Sequence, residues 1–232
     1  MPVITINGPI GSGPTEVGQM VAQILEINYV DRLVFAEAAK LVGSPVGALI
    51  EKEQRVIRFP ERLGRFLQTM LERSAISGVS GEPYFGRGIE MLPAETYTEL
   101  AGDPSVASQQ VNDKAFLEAT TSVIKDLAQA GNVVIIGRGS NIILSDTPGV
   151  IHVGLVAPLE VRANTVMQRE HFNKEEATAY AEELEQARIT FFRKFFKANP
   201  NNPDLFHMVL NLGILQQKTA AEIIVHAAGD IS

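Results

Sequence analysis

The feature that most constrains this chain is a short apolar run that leads into a glycine-rich turn and then into a helix. Residues 3–6 are β-branched, and the run ends at Asn7-Gly8. Apolar side chains then recur at helical spacing over residues 17–25. Later strands and helices alternate in the same way, which is typical of a parallel sheet covered by helices. We therefore expect one α/β domain over residues 1–232, a three-layer fold around a five-stranded parallel sheet.

Composition excludes several classes of function. The chain has no cysteine, so disulfides, thiolate nucleophiles and thiolate zinc sites are ruled out. A formal charge of −7 opposes non-specific binding to nucleic acid, which needs clustered Lys and Arg. The apolar runs are too short to span a bilayer, and the first residues do not form a secretion signal. We expect a cytoplasmic protein with no nucleic-acid or membrane partner.

Two segments depart from the simple alternation of strands and helices. Residues 46–112 start with a helical pattern, and the stretch 77–103 within them is broken by glycines and prolines. A loop of that length is usually a lid, a binding loop or an interface arm. We predict a helical and loop insertion over 46–112, and two helices forming a lid-like region over 159–197.

The turn at residues 8–15 has the spacing of a Walker A motif: Gly, four residues, Gly, one residue and Thr. Glycines allow backbone amides to turn toward an anion, and the start of a helix adds partial positive charge. Pro14 stands where the motif has lysine, so one cation and one amide donor are missing. The alternative is a turn without a ligand, since Pro14 also suits a helix start. The predicted phosphate-binding residues are Gly8, Gly11, Ser12, Gly13, Pro14 and Thr15, with Thr15 also the candidate magnesium ligand.

Successive blocks of the chain resemble the cytidylate-kinase-like family, a branch of the P-loop nucleoside monophosphate kinases. These blocks are residues 5–18, 29–32, 133–144 and 157–193, in the order that the family has them. The family's loop often reads Gly-Ser-Gly-Gly, already without the lysine. The resemblance implies a P-loop kinase-like fold, ATP and Mg²⁺ as cofactors, and a nucleoside monophosphate as partner. It also implies that the insertion lies on the acceptor side or at an interface.

The resemblance also implies roles for residues outside the loop. Asp31 and Arg32 fall where the family has acceptor contacts, although Asp31 also suits a strand-end cap. Arg138 matches the arginine of the family's Gly-Arg-Asp motif, but Gly139 replaces the Asp. An Arg directly after a buried strand lies where α/β proteins bind ligands.

A group of late arginines resembles the lid arginines of nucleotide kinases. An Arg side chain binds phosphate oxygens with a planar fork, and phosphoryl transfer depends on positioning and on neutralising charge. The alternative is that Arg162 and Arg169 pair with helix neighbours such as Glu160 and Glu170. The aromatic residues at 191–196 are predicted to pack rather than to stack on a base. The candidate catalytic residues are Arg138, Arg162, Arg169, Arg188 and Arg193.

Three functions remain open on the sequence. The first is a transferase that moves the ATP γ-phosphate to a nucleoside monophosphate such as CMP. The second is a nucleotide-binding or sensing module without turnover, because Pro14 and Gly139 both remove groups that catalytic relatives use. The third is an assembly subunit, a homo-oligomer formed through residues 77–103.

Overall fold

The structure is a computed structural model that describes residues 2–31 and 107–230. Within these ranges, five strands and six α-helices follow one another, together with a 3₁₀ turn at Pro203–Leu205. The elements are β1 (Val3–Asn7), α1 (Pro14–Leu25), β2 (Asn28–Val30), α2 (Ala107–Ala130), β3 (Val133–Ile136), α3 (Ser140–Ile143), β4 (Val150–Val156), α4 (Leu159–Glu170), α5 (Lys174–Phe196), β5 (Met208–Asn211) and α6 (Gln217–Asp230).

The strands form one parallel sheet in the order β2-β3-β1-β4-β5. Strand β1 lies at the centre, with Ile6 level with Ile136 on one side and Val153 on the other. The predicted five-stranded parallel sheet flanked by helices is thus confirmed. All five strands end at the same edge, and that edge carries the turns that lead into the helices.

Two apolar layers cover the sheet because alternate residues of each buried strand face opposite sides. Val3, Val133 and Val150 pack with Ile124 and Leu127 of α2. The intervening residues face α1 and α6, and this larger cluster joins Ile4, Ile6, Val134, Ile136, Ile151 and Leu155 to Val17, Val21, Ala220, Ala221 and Ile224. The sheet is therefore the middle layer of three, and it holds the turn after β1 on a rigid base.

Helices α4 and α5 pack against each other through small side chains. Ala163 and Val166 of α4 meet Ala177 and Ala181 of α5 in a separate apolar cluster. The region predicted over 159–197 is thus two helices, while its action as a lid stays a prediction. Most of the predicted insertion, including residues 77–103, lies outside the described residues, and residues 107–112 belong to α2. Oligomerisation through that segment also stays a prediction.

In the described part of the chain, none of the helices combines the length and the apolar content of a membrane span.

Candidate functional site

The turn between β1 and α1 is closed by hydrogen bonds of Ser12. The Ser12 side chain stabilises this turn, because its hydroxyl oxygen lies 2.7 Å from the carbonyl oxygen of Pro9 and 3.3 Å from that of Leu155. The Ser12 amide also donates to Pro9, at 3.1 Å. Among the residues described here, the amides of Gly11, Gly13 and Thr15 donate to no protein acceptor. Such a ring of amides at the start of a helix binds anions.

Pro14 is the first residue of helix α1, and Gly13 caps the helix in the left-handed conformation, at φ 88°. A helix leaves its first amides without an internal partner, so a proline at this position costs no helix hydrogen bond. The same residue supplies no ammonium group and no amide to the loop. Both interpretations of Pro14 made from the sequence therefore hold locally: it starts the helix, and it replaces the lysine.

A cleft of about 70 Å³ lies over the loop. Its floor is the loop with the end of β1, and the turn after β3 contributes Ile136 and Gly137. Its other wall comes from α4 and α5, which contribute Arg169, Leu184, Arg188 and Phe192. The predicted loop residues Gly8, Gly11, Gly13, Pro14 and Thr15 line this cleft, whereas Ser12 supports them from behind.

Helix α4 presses directly on the loop at Gly11. The backbone there is left-handed, at φ +77°, and a Cβ atom would lie 2.9 Å from the Cα atom of Arg162. Only glycine fits such a conformation at such a distance. The loop and the start of α4 are therefore held together, and this contact brings the arginine-bearing helices to the turn after β1.

Arg188 is anchored by side chains of α5 and of the segment that follows it. Its Nε and Nη2 atoms each donate to a carboxylate oxygen of Glu185 at 2.9 Å. The Nη2 atom also donates to Oδ1 of Asn201. The guanidinium lies 5.9 Å from the centre of the Phe192 ring, and Arg188 is only 7% exposed. A buried cation thus lines the cleft over the turn after β1.

Glu185 carries a negative charge between two arginines. Burial alone would raise its pKa, but hydrogen bonds and charge from Arg188, with help from Asn201 and Arg162, lower the pKa below its ordinary value. Burial, with the nearby charge of Arg188, lowers the pKa of Arg162, while Glu185 opposes this. Arg162 nevertheless stays cationic at neutral pH. In the part of the chain described, Nε and Nη1 of Arg162 are buried without a hydrogen-bond partner.

Of the other predicted arginines on α4 and α5, Arg169 lies at the cleft and Arg193 lies on the surface. Arg169 lines the cleft and lies 3.3 Å from the carboxylate of Glu170, the neighbour pairing that the sequence left open. Arg193 is exposed on α5 and does not line the cleft. The structure therefore brings Arg169 and Arg188 to the loop, with Arg162 in the layer behind them.

Arg138 lies at the carboxyl end of β3, as predicted, but its side chain is buried and does not line the cleft. Residues 137–139 are all left-handed. The ring of Phe196 fills the space next to Gly139, where a Cβ atom would overlap it. Phe191 and Phe192 are buried in the same cluster, so the aromatic residues pack as predicted. The position of the family's Asp is thus closed by an aromatic ring.

The residues predicted to contact the acceptor nucleotide are Asp31 and Arg32. Asp31 is half-buried directly after β2, at the edge of the sheet, and does not line the cleft. Arg32 lies outside the described residues. Within residues 2–31 and 107–230, no cluster of three His, Asp or Glu side chains forms a ready metal site.

The cleft-lining residues that sequence reasoning missed include Asn7, Glu16, Leu184 and Phe192. The first two border the loop in sequence, and that adjacency was an available signal. Leu184 and Phe192 could be found only by knowing which face of α5 meets the loop. Helical spacing places both on the face of Arg188, four residues before and after it.

The fold and the site define an α/β protein in which a cleft over a glycine-rich turn is lined by Arg169 and Arg188. A family model described as the cytidylate kinase-like family matches residues 3–214, and the chain belongs to that family.

Solved structures are similar over nearly the whole chain. A protein from Eubacterium ventriosum, described as uncharacterized, aligns over 99% of both chains with a TM-score of 0.64 and 15% identity. A shikimate kinase from Acinetobacter baumannii, in complex with shikimate, aligns over 99% of this chain and 94% of its own, with a TM-score of 0.47 and 14% identity. The first likeness supports the fold.

A curated relative is similar in sequence. It is a uronate isomerase from Corynebacterium glutamicum, 21% identical over 190 residues. The match takes in 82% of this chain and 35% of that protein, so the chain spans only about a third of the relative's length.

Proposed function

We propose that this protein is a nucleotide-dependent phosphotransferase that moves the γ-phosphate of ATP to a nucleoside monophosphate such as CMP. The observation that carries the proposal is the pairing of a loop rich in unpaired amides with an anchored, buried Arg188 across one cleft. Membership of the cytidylate kinase-like family supports the same reaction class. Phosphoryl transfer requires little of a protein beyond positioning and charge stabilisation, and this cleft is suited to supply both.

In this proposal, the loop amides of Gly11, Gly13 and Thr15 bind the donor phosphates. Arg188 and Arg169 donate to oxygens of the phosphoryl group that moves, and their charge offsets the charge that spreads over those oxygens. Arg162 adds positive potential from the second layer. Together these cations stand in for the lysine that Pro14 replaces.

The oxygen-bearing side chains at the start of α1, Thr15 and Glu16, are of the kind that binds Mg²⁺ together with phosphate. Thr15 and its neighbour Glu16 both line the cleft. Mg²⁺ prefers oxygen ligands and is commonly bound through one or two protein groups plus substrate phosphates. Bound there, the ion would neutralise phosphate charge, and Thr15 would be its protein ligand.

A coupled assay tests the reaction directly. The purified chain is incubated with ATP, Mg²⁺ and each of the common nucleoside monophosphates, and diphosphate formation is followed. Turnover with at least one acceptor is the expected result, and it should fall by about a hundredfold or more in Arg188→Ala. Arg193→Ala is the matched control if only the cleft arginines act, because Arg193 is exposed on the same helix.

A nucleotide-binding or sensing module is the second candidate function. It is favoured by Pro14, which removes a cation from the loop, and by Gly139, whose neighbour Phe196 leaves no room for a carboxylate. Saturable ATP binding without diphosphate formation across the whole acceptor panel would establish this function in place of the transferase.

A further inference from the structure

Arg188 is held by two of its three nitrogen atoms. Nε and Nη2 face the carboxylate of Glu185 in a bidentate pair, and Nη2 also reaches Asn201. Among the residues that the structure describes, Nη1 has no hydrogen-bond partner. One edge of the guanidinium is therefore fixed by protein, and the nitrogen that remains is the donor left for a ligand.

Asn201 fixes the carboxylate as well as the cation. Its Nδ2 atom donates to Oε1 of Glu185 at 2.8 Å, while its Oδ1 accepts from Arg188. Asn201 belongs to the exposed segment after α5, where its backbone amide donates a hydrogen bond to Oδ1 of Asn199 at 3.1 Å. The three side chains thus close a ring of hydrogen bonds, and Phe192 supports one face of the guanidinium.

We propose that Glu185 and Asn201 are positioning residues that hold the Arg188 guanidinium so that Nη1 binds a phosphate oxygen of the nucleotide. The proposal rests on the proposed function, since it names how the cleft orients its main cation. Neither residue lines the cleft, so each acts through Arg188. Positioned charge stabilises a phosphoryl group more than mobile charge does, because it needs no rearrangement when the ligand arrives.

The direction in which Glu185→Gln changes the affinity for an anion distinguishes a positioning role of Glu185 from a purely electrostatic one. Glu185→Gln removes a negative charge 2.9 Å from Arg188. If charge alone mattered, the cleft would become more positive and an anion would bind more tightly. If Glu185 orients Arg188, the substitution breaks the bidentate pair and the anion binds less tightly.

The test measures the dissociation constant of ATP with Mg²⁺ by equilibrium dialysis, using the full chain. We expect Glu185→Gln to weaken binding about tenfold and Asn201→Ala to weaken it severalfold. Glu183→Gln is the matched control, because it makes the same charge change at an exposed position of α5, and it should leave binding within twofold. In an Arg188→Ala background, Glu185→Gln should have no further effect, since its action runs through Arg188.

Three results would overturn the proposal. These are unchanged or tighter binding in Glu185→Gln, an equal loss in Glu183→Gln, or an undiminished loss in the Arg188→Ala background. If Glu185→Gln does not fold, as judged by circular dichroism, the exposed Asn201→Ala decides by the same criteria. If the wild-type protein binds no ATP, the proposed function is overturned. If the wild-type protein binds ATP and the variants bind it equally well, only the positioning role is overturned.

Discussion

At position 139 the backbone is left-handed, and the ring of Phe196 occupies the space that a side chain would need. A Cβ atom there would overlap the ring, whereas Gly149 is equally left-handed, at φ +76°, with nothing within 4 Å. A comparison of Gly139 with Gly149 therefore separates the free-energy cost of a left-handed backbone from the cost of the steric clash with Phe196. It also explains in physical terms why this chain lacks the carboxylate of the Gly-Arg-Asp motif.

We predict that Gly139→Ala lowers the free energy of unfolding by about 3 kcal/mol, from strain and overpacking together. Gly149→Ala should lose only the conformational part, about 1 kcal/mol. Urea unfolding followed by circular dichroism measures both, and this probe suits a chain without tryptophan. Equal losses in the two variants would show that Phe196 does not close the position.

His152 predicts a pH dependence of stability. It is buried in β4, its Nδ1 atom lies 2.8 Å from the hydroxyl of Thr5, and its ring stacks on that of His207. Burial, and next the charge of His207, lower its pKa from 6.5 to about 4. Between these values the unfolded chain binds more protons than the folded chain, so stability falls as the pH drops from 6.5 to 4.

The expected loss across that range is about 3 kcal/mol from this residue. His152→Asn keeps an amide within reach of Thr5 but does not titrate, so its stability should vary less with pH. Unfolding curves of both proteins at pH 7, 5.5 and 4 provide the comparison. Parallel pH profiles would mean that His152 does not hold a lowered pKa.

At the scale of elements, helix α5 carries the arginine wall and is fixed at both ends. Its start is a capping box, in which Asn173 accepts from the amide of Glu176 and Glu176 accepts from the amide of Asn173, each at 2.9 Å. Its end packs through Phe191 and Phe192 against the turn after β3. Arg188 lies between these two fixed ends, so its position depends on the whole of α5.

We predict that Asn173→Ala lowers the free energy of unfolding by about 1 kcal/mol, because the first turn of α5 loses its cap. Asn164→Ala is the control, since Asn164 is exposed within α4 and alanine favours a helix interior. Thermal unfolding of both variants measures the difference. A loss in Asn164→Ala as large as that in Asn173→Ala would contradict the role of the cap.

The elements themselves were largely predictable from the sequence. Mostly apolar runs stand in the sequence at 133–136, 150–156 and 208–211, and they coincide with β3, β4 and β5. Strands that are buried in a parallel sheet, as β3 and β4 are, consist largely of apolar residues. Helix α5 was equally clear from its length and spacing. The turn after β1 followed from its glycines: Gly11 and Gly13 are left-handed, and a Cβ atom at Gly8 would meet the carbonyl oxygen of Leu155.

The contacts of the site were much less predictable. Arg188 was recognised as a candidate, but its partner Asn201 lies 13 residues away in an irregular segment. The burial of Arg138 depends on a left-handed backbone that apolar periodicity does not reveal. Such features arise from the way separate elements meet, so one sequence contains no periodic signal for them.

On the scale of the whole molecule, an acidic chain carries a local group of arginines. The formal charge is −7, yet Arg162, Arg169 and Arg188 all lie on the two helices that border the turn after β1. Over distances beyond about 8 Å, physiological salt screens the net charge, so the local cations govern a bound anion. The account therefore depends on whether this loop holds a nucleotide without a lysine.

Calorimetric titration of the native chain with ATP and Mg²⁺ measures this most directly. We predict saturable binding at one site, lost in Gly11→Ala, whose Cβ atom would meet the backbone of Arg162, and retained in Gly149→Ala. The absence of any binding heat at several temperatures, from protein with a native circular dichroism spectrum and cooperative unfolding, would contradict the account.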